Sequence, residues 1–267
     1  MPVTIAYSPC PNDTFMFHGI ASGAIPLPAG EPEVHLPDVQ TLTELAQTGR
    51  FDVSTVSFYA SLLVQEDYRM LHVGAALGFG CGPPVITREP LSREQLANCR
   101  IAIPGELTTA HLLFQLWAPA STQRVFVSYD EVMPMVERGE VDAGVIIHEG
   151  RFVYEQKGLH AIVDLGEWWE SETGLPIPLG GIVVRRSLGE SFAQAFETAL
   201  AASINYAQEH PEASRDYVRQ HAQELSDDVL DSHIETYVNP YSLDMGHDGA
   251  AAVERLESMA RDRGLLA

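Results

Sequence analysis

Apolar positions along the chain follow two alternating rhythms. Short runs rich in β-branched residues, "VTIAY", "VHLPDV", "FDVSTV", "MLHVGAAL", "PPVITR", "RIAIP", "RVFVSY", "VDAGVIIH" and "GGIVVRR", read as strands, and amphipathic stretches between several of them carry helical spacing. This alternation predicts parallel α/β architecture through residue 184. From Ser187 the strand rhythm disappears. Residues 191–210, 211–225, 226–238 and 248–266 show helical periodicity alone, interrupted at Pro211, Asn239 and Pro240, so the last part of the chain is expected to be mainly helical.

The first strand runs into "SPCPNDTF" at 8–15. Pro9 and Pro11 remove backbone donors and end the strand, while Asn12, Asp13 and Thr14 favour a helix start, which makes the segment a strand-to-helix elbow. It is either a capped connection or a helix start that points its amides at a ligand. The pattern recurs. "IAYSPCPNDTF" resembles "IAIPGELTTAHLLF", and "LTELAQTGRFDVSTVSF" resembles "VMPMVERGEVDAGVIIH", which suggests a duplicated unit. In that case Asn12, Asp13 and Ser57 occupy places in one lobe that Thr108, Thr109 and His148 occupy in the other. "GFGCGPP" and "PIPLGG" fall where the chain must cross, and two crossovers make a hinge. Residues 1–86 with 182–267 are then expected to form a larger lobe and 87–181 a smaller one. Ligands of parallel sheets bind beyond the carboxyl ends of the strands, here in a central cleft.

Charge narrows the ligand. Sixteen basic against 37 acidic residues give a net charge of −21, which repels phosphate backbones and anionic lipid surfaces. Nucleic acid and membrane are therefore not expected partners, and an anionic ligand would need local hydroxyls and helix N-termini to hold it. No apolar run is long enough to span a bilayer. The start "MPVTIAYSPC" lacks a secretory pattern, and Cys10, Cys81 and Cys99 match neither a disulfide framework nor a zinc spacing, so a reduced cytoplasmic setting without structural metal is expected.

Hydroxyls cluster where the repeat puts the strand ends. Ser54, Thr55 and Ser57 interrupt one strand, and Thr108 and Thr109 open a helix after Gly105. Either set can cap its helix or donate to a carboxylate. In "VDAGVIIHEGRF" an apolar strand ends abruptly at His148, an imidazole able to act as general base, with Glu149 a possible partner. His18 and His111 fall in apolar helical runs and read as packing residues, whereas His210, His221, His233 and His247 lie in the polar C-terminal region. Trp168 and Trp169 read as core or cleft rim. Neither a nucleophile elbow, a dinucleotide fingerprint nor a phosphate loop is present.

Taken together, "SPCPNDTF", "DVSTVSF", "GELTTA" and "IHEGRFVYEQKGL" resemble the 1,4-dihydroxy-6-naphthoate synthases of the futalosine pathway to menaquinone, in order over roughly residues 5 to 185. The resemblance implies a two-lobed fold of the type II periplasmic-binding-protein kind. It implies conversion of cyclic dehypoxanthine futalosine, a small carboxylate, to 1,4-dihydroxy-6-naphthoate, without cofactor or metal. The family's catalytic histidine maps onto His148, and its substrate-binding segments map onto Thr55, Val56 and Ser57 and onto Thr108 and Thr109. Asn12 and Asp13 then shape the pocket. Chorismate dehydratase shares this fold and pathway, and a carboxylate-binding solute receptor shares the fold.

Overall fold

A computed structural model describes residues 2–222 and 226–266. The helical expectation for Gln223, Glu224 and Leu225 falls outside the described residues, as do Met1 and Ala267. In chain order the strands are β1 (Thr4–Ala6), β2 (Glu33–His35), β3 (Val53–Ser57), β4 (Tyr68–Met70), β5 (Ala76–Gly78), β6 (Pro84–Thr87), β7 (Ile101–Ile103), β8 (Arg124–Phe126), β9 (Ala143–Val145), β10 (His160–Asp164) and β11 (Ile177–Arg185). The α-helices are α1 (Pro11–Ala21), α2 (Val39–Gln47), α3 (Phe58–Leu63), α4 (Thr109–Trp117), α5 (Tyr129–Arg138), α6 (Gly150–Val153), α7 (Leu165–Thr173), α8 (Glu190–Glu209), α9 (Pro211–His221), α10 (Asp227–Tyr237), α11 (Pro240–Leu243) and α12 (Gly246–Asp262).

The chain divides into two compact units, residues 1–77 with 180–247 and residues 78–179 with 248–267. The first break falls at the start of "GFGCGPP" and the second inside "PIPLGG", rather than at 86/87 and 181/182. Residues 248–267 group with the second unit, whereas the sequence reading grouped them with the first lobe.

In the first unit the sheet runs β2-β1-β3-β11-β4, with β5 also pairing β11. β1 is parallel to β2 and β3, and β11 returns antiparallel to β3. Val53 and Ile182 of the sheet share a core with Phe17 of α1 and Phe196, Leu200 and Ile204 of α8. α9 and α10 pack on α1, so the helical C-terminal region buries the outer face of the first helix rather than standing apart.

The second unit carries the order β10-β6-β9-β7-β8, in which β7 is parallel to β8 and β9. Ile86, Ala102, Val132, Val136 and Ile146 fill its core. Gly82 lies so close to Gly166 that a Cβ on Gly82 would fall 2.0 Å from the Gly166 nitrogen. Arg151 donates to the carbonyls of Gly82 and Gly80 at 2.7 and 2.8 Å, which ties the glycine-rich segment to α6.

Both copies of the helix–glycine–strand repeat form. α2 and α5 each end at a glycine of left-handed backbone, Gly49 at φ +64° and Gly139 at φ +73°, before β3 and β9. Several strand expectations are shortened, and "RVFVSY" is strand only over Arg124–Phe126 because Tyr129 already opens α5. "VHLPDV" stops at His35 because Asp38 accepts from the amides of Gln40 and Thr41 and starts α2. "MLHVGAAL" contributes only the end of β4 and the start of β5, separated by a turn with Gly74 at φ +87°. "VDAGVIIH" is strand only over Ala143–Val145.

Candidate active site

Three consecutive parallel strands of the second unit release their chains at one sheet edge. After β7 comes the turn into α4, after β8 the start of α5, and after β9 the segment Ile146 to His148. His148 has φ +55°, and among the described residues no other non-glycine residue has positive φ. Such a backbone is unfavourable for a side-chain-bearing residue and clusters at functional positions. It also explains why the strand stops short of the histidine. The His148 ring meets Tyr129, the first residue of α5, edge-on, with centroids 4.8 Å apart. His148 retains some solvent contact but is densely enclosed by protein atoms. Burial pushes its pKa down to about 4, so the imidazole is neutral at physiological pH and available to accept a proton. Glu149 has its carboxyl raised by burial and by the charge of Asp130.

The hydroxyls at the same edge are engaged with backbone. Thr108 caps α4, accepting from the His111 amide at 3.2 Å and donating to the Gly105 carbonyl at 3.0 Å. Thr109 donates to the Leu179 carbonyl at 2.7 Å. A ligand anion at this helix start would meet first-turn amides, which a helix cannot satisfy internally, more readily than hydroxyl protons. His111, expected to be a packing residue, is 4% exposed and donates through Nδ1 to the Glu106 carbonyl at 2.6 Å. Burial lowers its pKa to about 4, and its Nε2 is buried without a hydrogen-bond partner.

In the first unit, the carboxyl ends of the parallel strands β1 and β3 put the elbow and Ser57 at one sheet edge. Ser57 caps α3 by accepting from the Ala60 amide at 3.0 Å. Val56 is 1% exposed and pairs with Gly181, so its backbone is what it can offer a ligand. Asp13 is 2% exposed and accepts from the Ser8 amide at 2.9 Å, the Ser8 hydroxyl at 2.8 Å and Asn12 Nδ2 at 3.0 Å. The Thr55 hydroxyl lies near enough to favour the ionised carboxylate without reaching hydrogen-bond geometry. Desolvation outweighs these donors and raises Asp13 to about 6.

His233 was not singled out from the sequence. It is fully buried and bonds Asn12 Oδ1 at 3.0 Å, a contact across 221 positions of chain. Trp169 is a core residue, with its indole N–H donating to the Pro176 carbonyl at 3.0 Å. Among the described residues no three His, Cys, Asp or Glu side chains gather as a metal site requires, and no helix is long and apolar enough to cross a membrane.

Comparison with known proteins places this arrangement. A family described as menaquinone biosynthesis matches residues 3–262. A 1,4-dihydroxy-6-naphthoate synthase of Thermus thermophilus is 48% identical over 98% of this chain and 95% of its own, and one of Streptomyces coelicolor is 45% identical over 98% and 94%. A solved structure from Archaeoglobus fulgidus superposes with a TM-score of 0.94 at 33% identity, covering 99% of this chain and 98% of that one. The alkanesulfonate-binding protein of Xanthomonas axonopodis, solved with MOPS, superposes with a TM-score of 0.74 at 15% identity over 100% and 94%, which identifies the fold as periplasmic-binding-protein-like. On a match that runs from β1 into α12, and on relatives nearly half identical over the same span, the chain belongs to the menaquinone-biosynthesis family.

Proposed function

We propose that this chain is a cytoplasmic lyase that converts cyclic dehypoxanthine futalosine to 1,4-dihydroxy-6-naphthoate, with His148 as general base. The observation that carries the reading is His148 itself, an imidazole held on strained backbone just beyond the carboxyl ends of the parallel strands β7, β8 and β9. The activity of the two relatives supports it.

The reaction removes a carbon-bound proton and expels a fragment, and the resulting double bonds complete an aromatic ring. His148 accepts the proton, and aromatisation supplies the driving force. A base of pKa about 4 is weak, but it is unprotonated at every physiological pH. A bound substrate carboxylate raises the pKa of a nearby imidazole because it favours the charged form. Binding the anion therefore strengthens the base that the reaction needs.

The net charge of −21 opposes that anion at long range. Short-range donors must hold it. The amides that open α4 at Thr108 and Thr109, and Thr55, Val56 and Ser57 with the start of α3, are assigned this role, and Asn12 and Asp13 shape the elbow beside β3. Incubating the purified protein separately with cyclic dehypoxanthine futalosine and with chorismate tests the assignment. Naphthoate from the first alone supports it. A dehydrated product from chorismate alone, or binding of either compound without turnover, overturns it.

A further inference from the structure

The helical C-terminal region delivers a histidine to the elbow. Within the first unit α10 packs against α1, and His233 of α10 is fully buried against it. His233 Nε2 lies 3.0 Å from Asn12 Oδ1, and Asn12 Nδ2 lies 3.0 Å from Asp13 Oδ1. The directions of these bonds follow from chemistry. An ionised carboxylate only accepts, so the Asn12 amide must turn its NH2 toward Asp13 and its oxygen toward His233. Nε2 of His233 then carries a proton and donates it.

We infer that His233 is a positioning residue of the elbow: by holding the Asn12 carbonyl it aims the Asn12 amide at Asp13 and keeps that carboxylate oriented in the first turn of α1. The inference rests on the reading that the elbow serves the naphthoate-forming site. A carboxamide released from His233 gains freedom to rotate, and each rotation away from Asp13 removes a donor from a buried anion, a loss for which water does not compensate. Asp13 is sensitive to such a loss because burial already holds it near 6 against the donors at Ser8 and Thr55.

The groups facing this network come from several elements. Tyr7 at the end of β1 interacts electrostatically with Asp13, and its hydroxyl lies 2.5 Å from that of Tyr217 on α9. His18, farther along α1, faces Tyr206, Tyr217, His210 and Ser214. On α10 the His233 ring also contacts Tyr237. Simple packing by His233 predicts a stability change with no effect on the titration of Asp13.

The test is a carboxyl-carbon NMR titration of the full chain labelled at aspartate, with Asp13→Asn used to assign the resonance. His233→Phe keeps a ring and removes the donor, and His233→Gln keeps an N–H near the Nε2 position. The Asp13 midpoint should rise by about one pH unit in His233→Phe, a tenfold change in ionisation, and stay near wild type in His233→Gln. Asn12→Ala leaves α10 intact and should give the same rise. In parallel, kcat/KM for naphthoate formation in His233→Phe should fall about tenfold well below the midpoint and little well above it. An unmoved midpoint in His233→Phe or Asn12→Ala overturns the inference. So does a moved midpoint whose kinetic acid limb does not follow. If wild type forms no naphthoate, the proposed function fails, and the titration alone decides the role of His233.

Discussion

The imidazole of His148 and the ring of Tyr129 meet edge to face, with 4.8 Å between centroids and 70° between planes. The first residue of one helix therefore braces the residue in the turn three positions beyond the neighbouring strand β9. An aromatic pair of this geometry contributes about 1 kcal/mol beyond its buried area. It opposes relaxation of the strained His148 backbone.

Tyr129→Phe keeps that brace and should retain wild-type kcat within about twofold. Tyr129→Ala removes it and should lower kcat roughly tenfold, the equivalent of about 1.4 kcal/mol, with less change in KM. Steady-state kinetics on both variants make the comparison. Equal rates in Tyr129→Ala and wild type would show that the ring contact has no part in positioning the base.

Thr109 offers a second separation. Its hydroxyl donates to the Leu179 carbonyl, a bond worth about 1 kcal/mol of net stability. Thr109→Val should lower stability by about that amount, and Thr109→Ser should restore it. If first-turn amides hold the substrate anion, dissociation constants from calorimetry should change less than threefold in Thr109→Val. A tenfold weaker complex in that variant would mean that the threonine side chain itself binds.

Much of this geometry was legible in the sequence because it is local. The alternation of β-branched runs with helical stretches marks the β/α order, and the paired glycines at Gly49 and Gly139 mark helix ends whose left-handed backbone suits glycine. His148 stood out because an apolar run ends on it. Its backbone conformation was not legible, nor was the burial that lowers its pKa, because both depend on packing around the strand end. The role of His233 was hidden for the same reason. Nothing near "DSHIETY" announces that Asn12, 221 positions away, will be its partner. Asp38 shows a local signal misjudged: "LPDV" continued an apolar strand pattern, but proline followed by aspartate starts a helix.

Buried His111 and the densely enclosed His148 of the second unit predict a pH dependence of stability. His111 and His148 titrate at about 4 when folded and near 6.5 when unfolded, so their contribution is complete above pH 6.5 and is lost as pH falls toward 4. Asp13 works in the opposite sense, since its folded pKa of about 6 exceeds the unfolded 3.8 and its contribution is lost as pH rises through 6. Acidification also relieves repulsion in a chain of charge −21, so the informative quantity is a difference. Urea unfolding of wild type and His111→Gln at pH 7, 5.5 and 4.5 should show wild type losing stability relative to the variant as pH falls. A constant difference would mean that His111 is not protonated more readily on unfolding.

Substrate binding should move the titration of His148. In the free protein its protonation falls at about 4, and a bound carboxylate raises it. The His148 ring resonances, followed by NMR with the unreactive product bound, should therefore titrate at higher pH than in the free protein. A lower value with product bound would contradict an anion near the imidazole.

The most direct measurement is naphthoate formation, followed by mass spectrometry, in wild type and His148→Asn side by side. Asparagine tolerates the positive φ of this position better than most residues, so the substitution removes the base without forcing the backbone to move. It cannot accept a proton near neutral pH. Wild type should convert cyclic dehypoxanthine futalosine to 1,4-dihydroxy-6-naphthoate, and His148→Asn should bind the substrate with similar affinity and turn it over at least roughly 100-fold more slowly. Turnover by His148→Asn near the wild-type rate would remove His148 from the chemistry, and absence of naphthoate from wild type would contradict the proposed activity itself.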